Sequence, residues 1–413
     1  MHGNFLVVTL MLAWIRFWGS LYDPYMSIYF IDIGGTYFQL GALLALTILT
    51  RALISIPGGY LCDKYGRKKI LVIGSYFWVI GRLLVFLAWD SQSFFIAYFF
   101  FMGIAMIGVA AQQAIFLDSL PEDKRGLGFA LNALLVASVG LVAPAIGGWI
   151  YLSYGPSGVK VIFFACLIAE VIKAITYTLF LKESLVNRVN AEKMGLTILL
   201  KRVVQSFKSI PETLKWMPKP LLGFAITNLI FCFGAAFTGT YFILGNMTRG
   251  LIGQSGSFFS LYAVDVIFLT TIQWGLINTI NIGISLVLMM PSGSLTDRYG
   301  RKKLIVIFTG VTSALVTVFL FCRTFPQVLA VIMVSSIVGT LVTPAWNAIQ
   351  LDYSPPEMRG KVFSLLQLLT AIASFFSFLI GGYLYSLNFM LPFFLYAIFS
   401  IIATAVAFLT LRK

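Results

Sequence analysis

Six charged side chains stand where charge is costly. Arg16, Arg51, Arg82, Glu170 and Lys173 interrupt long apolar runs, and Asp23 lies in the first of these runs just before Pro24. Even low estimates put a charge at the centre of a bilayer at about 2.5–3.5 kcal/mol, so such residues pair with one another or line a cavity. Burial raises the pKa of a carboxylate and a nearby guanidinium lowers it, so a change of surroundings can load or release a proton. That chemistry is open to Asp23 and Glu170. Two other uses fit the same residues: a fixed salt-bridge network, or an anionic solute held by the surplus of cations. At about 1.5 Å of rise per helical residue, Arg16, Arg51, Arg82, Glu170 and Lys173 fall at similar depths in the membrane. Asp23 lies further out, and its seven-residue spacing from Arg16 predicts a shared helical face.

The second half of the chain has no charge at that depth. It offers Asn228, Gln273, Trp274, Asn278, Asn281, Trp346, Asn347, Gln350 and Gln367. Rings and amides suit an uncharged polar or amphipathic ligand, and the same groups can simply bond to neighbouring helices. Tyr22, Tyr25 and Tyr29 can line a cavity from the other side. His2 is the sole histidine, and Cys62, Cys166, Cys232 and Cys322 are far apart. No metal-ligand or redox spacing is present, and nothing resembles the His, Asp or Cys cluster that an enzyme buried in a membrane needs. No metal or cofactor is expected.

These residues must be positioned by membrane-spanning elements. The chain is 59% apolar and 11% charged, against about 25% charged in a soluble domain, and its mean hydropathy is +0.93. Runs near the roughly 20 residues that cross a bilayer recur at about 5–33, 38–62, 70–89, 94–117, 127–151, 159–181, 221–244, 271–296, 304–322, 328–351, 361–385 and 389–411. The net charge of +14 is not a nucleic-acid signature, because its distribution is one-sided. The segments that face one side hold 22 Lys and Arg, and those that face the other hold three: Lys160, Arg249 and Arg323. The positive-inside bias puts both termini in the cytoplasm. The first run is too long for a signal peptide and lacks a basic leader.

The segment Gly58–Lys69 returns almost unchanged as Ser292–Lys303, and the same 234-residue register holds from about 39 to 151. Ala114-Ile-Phe-Leu-Asp118 matches Ala348-Ile-Gln-Leu-Asp352, and Gly147-Gly148 matches Gly381-Gly382. A duplicated six-span half is the reading, with a natural site between the halves near the midplane. The domains expected are 1–181, a central cytoplasmic linker at 182–220, and 221–413. In the linker, Leu196, Leu199, Leu200, Val203, Phe207 and Ile210 share one face, which predicts a basic amphipathic helix on the inner leaflet. The repeat needs about sixteen extra residues at 245–260, an outer loop with a sequon at Asn246.

The duplicated turn reads Gly59-x-Leu61-x-Asp63-Lys64-x-Gly66-Arg67-Lys68-Lys69, then Gly293-x-Leu295-x-Asp297-Arg298-x-Gly300-Arg301-Lys302-Lys303. It resembles the signature between helices 2 and 3 of the major facilitator superfamily of secondary transporters. Locally, Gly59 and Gly293 allow helices to approach closely, and Gly66 and Gly300 permit a tight turn. Asp63 and Asp297 can face a helix N-terminus. The resemblance implies a cytoplasmic latch in which Arg67 pairs with Asp118 and Arg301 with Asp352, closing that side until the molecule opens inward. The alternative is that the basic turns only set topology. Gly140-x-x-x-Pro144-x-x-Gly147-Gly148 resembles the helix-5 motif of family exporters and antiporters, with Ala143 in place of one glycine; ordinary close packing explains the same residues.

The fold expected is therefore an all-α membrane protein, twelve helices in two pseudo-symmetric six-helix bundles. No phosphate-binding loop is present, so a proton or other ion gradient is the expected energy source. The function expected is proton-coupled efflux of drug-like or metabolite molecules by alternating access, from a monomer in the lipid of the cell membrane. A proton-linked importer of a sugar or organic acid, or a lipid flippase, fits the same scaffold.

Overall fold

The computed structural model describes residues 2–121, 125–185, 215–240, 258–355 and 358–411. The expected amphipathic helix at 196–210, the sequon at Asn246 and most of the 245–260 loop lie outside these residues. The described residues are helical, with no strand among them. By their contacts they form two units: 1–22 with 49–209, and 23–48 with 210–413.

The first unit contains α1 (His2–Tyr22), the later part of α3 (Tyr37–Tyr65), α4 (Arg67–Leu87), α5 (Ser91–Ile104), α6 (Ile107–Asp118), α7 (Arg125–Val139) and α8 (Ala143–Phe180). Here α1 packs on α8, and α4 on α5, α6 and α8. Two bonds from α1 to α8 fix their register. Trp14 Nε1 donates to the Ala169 carbonyl at 3.3 Å, and Cys166 Sγ donates to the Trp18 carbonyl at 3.5 Å.

The second unit contains α2 (Met26–Asp32), the first part of α3, α9 (Lys219–Ala236), α10 (Phe258–Leu261), α11 (Thr271–Tyr299), α12 (Arg301–Phe321), α13 (Phe325–Asp352), α14 (Arg359–Leu387) and α15 (Leu391–Thr410). Here α9 packs on α14 and α15, and α12 on α13 and α15. Within the same unit Tyr37 stacks edge-on to Tyr385, with centroids 4.9 Å apart.

Among the described residues, ten helices are long and apolar enough to cross a membrane, and one of them is the stretch Leu127–Phe180. That stretch is two spans. Gly155 has φ +56° and ψ −145°, and a Cβ on Gly158 would sit 2.9 Å from the Ile150 carbonyl, so the chain doubles back on itself. The span expected at 94–117 is broken into α5 and α6 at Ala105–Met106. No proline causes this break. Gly108 presses on Gly74 of α4, where a Cβ on Gly74 would lie 2.8 Å from the Gly108 Cα, and i→i+3 bonds replace the helical ladder there. Splitting Leu127–Phe180 and adding the α5–α6 pair makes twelve.

The duplication is structural as well as sequential. Helices α3 and α11 are both 29 residues, and α4 and α12 both 21. Single glycines join them: Gly66 at φ +99° and Gly300 at φ +80°, a region that costs an L-residue energy. Capping boxes recur in the same register: Thr36 with Gln39, then Thr270 with Gln273; Asp90 with Ser93, then Thr324 with Gln327.

Candidate functional site

Three of the buried charges meet in the first unit. Arg82 on α4 is 4% exposed, and its Nη2 donates to the Tyr22 hydroxyl at 2.6 Å. Its guanidinium also lies 4.7 Å from the centre of the Tyr22 ring, which stands edge-on to Phe163. Glu170 and Lys173 form an ion pair one turn apart on α8. Both are buried, and Lys173 Nζ lies 5.4 Å over the Trp78 ring. The charge of Glu170 reaches Arg82 and the buried hydroxyl of Tyr177. Buried ions held this way need their partners, because removing one partner leaves an uncompensated charge.

The other three charges are placed differently. Arg16 is half-buried on α1, its stem packed where a Cβ on Gly140 would lie 3.3 Å away. Arg51 is half-buried on α3. Asp23 starts a 3-10 turn, Asp23–Tyr25, that ends α1 at Tyr22 and belongs to the second unit. Asp23 follows the last residue of α1 directly, and Pro24, which cannot donate to the helical ladder, sits in the turn after it. Tyr25 and Tyr29 are fully buried.

The helix-5 motif is a helix start and not a kink within a helix. The segment α7 ends at Val139, Gly140 turns, and α8 begins at Ala143 with Pro144 in its first turn, the position where a missing N–H costs least. Gly147 faces α1 so closely that a Cβ would collide with the Leu21 carbonyl. Gly148 is buried one residue on. In the second unit Gly381 meets the Phe237 carbonyl in the same way.

At the motif turns, Arg67 Nη1 pairs with Asp118 Oδ2 in the first unit, and Arg301 Nη1 with Asp352 Oδ2 in the second. Both expected pairs therefore form. Asp63 and Asp297 lie in α3 and α11, and their side chains fall outside the described set; Gly59 lies in α3. Gly293 departs from expectation. No described residue lies within 4 Å of a Cβ placed there, so among the described residues no helix presses on it. The sequence reading also missed Glu183. Its Oε1 accepts from the Arg67 N–H at 3.0 Å and the Lys68 N–H at 3.4 Å.

In the second unit the amides bridge helices. Trp346 Nε1 donates to Asn228 Oδ1 at 3.2 Å, and Asn228 Nδ2 donates to Thr370 Oγ1 at 2.9 Å, which ties α13 to α9 and α9 to α14. Phe224 and Phe231 flank the Trp346 ring, with centroids at 5.4 and 5.8 Å. Ser336 bonds Asn281, and Asn278 bonds back to the Trp274 carbonyl at 2.9 Å. Asn347 stays half-buried on α13. Gln273 is a helix cap, which accounts for its amide without a ligand.

Membrane-length helices repeated along the chain, with charges buried among them, are the framework of a multi-pass membrane transporter. The chain belongs to the Major Facilitator Superfamily, whose family model matches residues 6–272 and 252–413. It is 22% identical over 396 residues to an uncharacterized MFS-type transporter of Methanocaldococcus jannaschii, covering 94% of this chain and 93% of that protein. It is 23% identical over 359 residues to Multidrug resistance protein 2 of Bacillus subtilis, covering 86% and 82%. A crystal structure of the nucleoside transporter NupG superposes with a TM-score of 0.72 at 13% identity, over 99% of this chain and 100% of that one. A bacterial homolog of the human lysosomal transporter Spinster gives 0.70 at 14% identity, over 98% and 96%.

Proposed function

We propose that this transporter is a proton-coupled exporter of drug-like or metabolite molecules, working by alternating access in the cell membrane with both termini in the cytoplasm. The observation that carries the reading is Glu170, which is 1% exposed and paired with Lys173 beside Arg82. A carboxylate held there between two cations changes its proton affinity whenever either cation moves or water enters. The bonds of Arg82 to Tyr22 and of Trp14 to Ala169 link the pair to α1, so motion of α1 against α8 would act on it. The Arg67–Asp118 and Arg301–Asp352 pairs serve as the cytoplasmic latch. Relatives named as multidrug resistance proteins support the export direction.

The test is lumenal pH in proteoliposomes during addition of candidate drugs. The wild type is expected to show a substrate-triggered pH change whose sign reports antiport. Glu170→Gln is expected to abolish it while leaving substrate binding measurable. Transport with an unchanged pH signal in Glu170→Gln would sink the proton role of this residue.

A further inference from the structure

The end of the first unit that carries the Gly66 turn is closed by a short strap, residues 181–185. Leu181 leaves α8 in an extended conformation. The next residue, Lys182, has both backbone groups held by one side chain. Its N–H donates to Asn4 Oδ1 at 2.8 Å, and Asn4 Nδ2 donates to its carbonyl at 2.8 Å. Asn4 is 4% exposed, so an amide at the start of α1 pairs with the strap as a neighbouring strand would.

One residue further, a single carboxylate oxygen gathers four backbone donors. Glu183 Oε1 accepts from Arg67 at 3.0 Å, Lys68 at 3.4 Å, Ser184 at 3.1 Å and Leu185 at 3.2 Å. The first two are orphan donors at the start of α4, where no side chain of the Gly66 turn caps the helix. A negative charge there also meets the positive end of the helix dipole. The other oxygen, Oε2, occupies the space beside Gly66, 2.5 Å from where a Cβ would stand. The turn thus excludes a side chain for two reasons, its positive φ and the presence of Glu183. In the second copy no described residue lies within 4 Å of a Cβ on Gly300.

We infer that Glu183 is a positioning residue for the Arg67–Asp118 pair, its carboxylate holding the Arg67 backbone so that the guanidinium is delivered to Asp118. Asn4 holds the strap that carries Glu183, so the ends of α1, α4 and α8 move as one piece. The consequence for transport rests on reading that pair as a latch. The Arg301–Asp352 pair, whose turn has no such neighbour among the described residues, is the internal control.

Two measurements on the full chain in lipid nanodiscs test this. The first is amide hydrogen exchange. Glu183→Ala is expected to speed exchange at residues 67–70 about tenfold or more, the scale of a lost charge-assisted hydrogen bond, and to leave residues 301–304 unchanged. Glu183→Gln keeps an acceptor without the charge and is expected to fall between, which also guards against a variant that fails to fold. The second is the non-additivity of melting shifts for Arg67→Ala and Asp118→Ala, measured with and without Glu183→Ala. Coupling present in the parent and lost in that background supports positioning. Coupling undiminished there, or unchanged exchange at 67–70, overturns it. Absence of coupling in the parent overturns the latch reading and the positioning role together.

Discussion

Glu170 and Asp265 carry the same chemical group in opposite settings. Glu170 is enclosed and paired. Asp265 lies just outside the membrane spans, exposed as a residue, although neighbouring protein strips water from its carboxyl. That desolvation, with the charge of Asp32 added to it, pushes its pKa up to about 6. A carboxylate raised in the folded state favours folding while protonated, and this contribution fades as pH rises from its ordinary value of about 4 through about 6. Asp265→Asn should therefore melt higher than wild type above pH 6 and match it below pH 4, while Asp32→Asn should bring the Asp265 titration down. Infrared titration of the carboxyl band together with melting curves checks both, and a wild type with no carboxyl titrating near 6 refutes it. At this scale the sequence exposed the costly residues well, because a charge in an apolar run needs a partner wherever the chain takes it. Glu183 and Gln273 were not legible. Their partners are backbone N–H groups, and which N–H groups are left orphaned depends on where each helix ends. For Gln273 both a ligand contact and a bond within the protein stayed open, because an amide near a span advertises polarity without saying where it points.

Glycines separate the elements that touch from those that only look as though they should. Gly147→Ala sets a methyl group against the Leu21 carbonyl, so α8 must move off α1, and overpacking of this kind costs about 1–3 kcal/mol. Gly293→Ala meets open space within a helix, where alanine gains up to about 1 kcal/mol over glycine. The first variant is expected to melt lower than wild type and the second at or above it. The reverse order would show that the α1–α8 approach does not limit stability. Membrane-length elements were legible because twenty apolar residues have few other fates. The interruptions were harder to read. Pro24 advertised one break. The break at Ala105–Met106 depends on Gly74 of another helix reaching Gly108, a contact no local pattern announces.

In the whole molecule, the 234-residue register reaches helix lengths, turn glycines and caps alike, and that is why two similar halves could be read from the chain. The grouping of 23–48 with the second unit could not, since it depends on tertiary contacts. The two Arg–Asp pairs lie in separate units, and melting of Arg67→Ala, Arg301→Ala and the double variant tests their independence, which predicts shifts additive to within about 0.5 kcal/mol. A larger deviation would mean that the two ends are linked. The reversal at Gly155 bears on how the protein is made. The joint at Gly155 offers only a short, weakly polar stretch, Ser153 to Ser157, to wait in water while the first helix enters lipid and the second is still being synthesised. The chain on both sides of Gly155 is then expected to leave the ribosome's membrane channel together, as a hairpin. A short polar insertion after Tyr154 would turn that joint entry into two separate events and expose the new loop to protease on the far side.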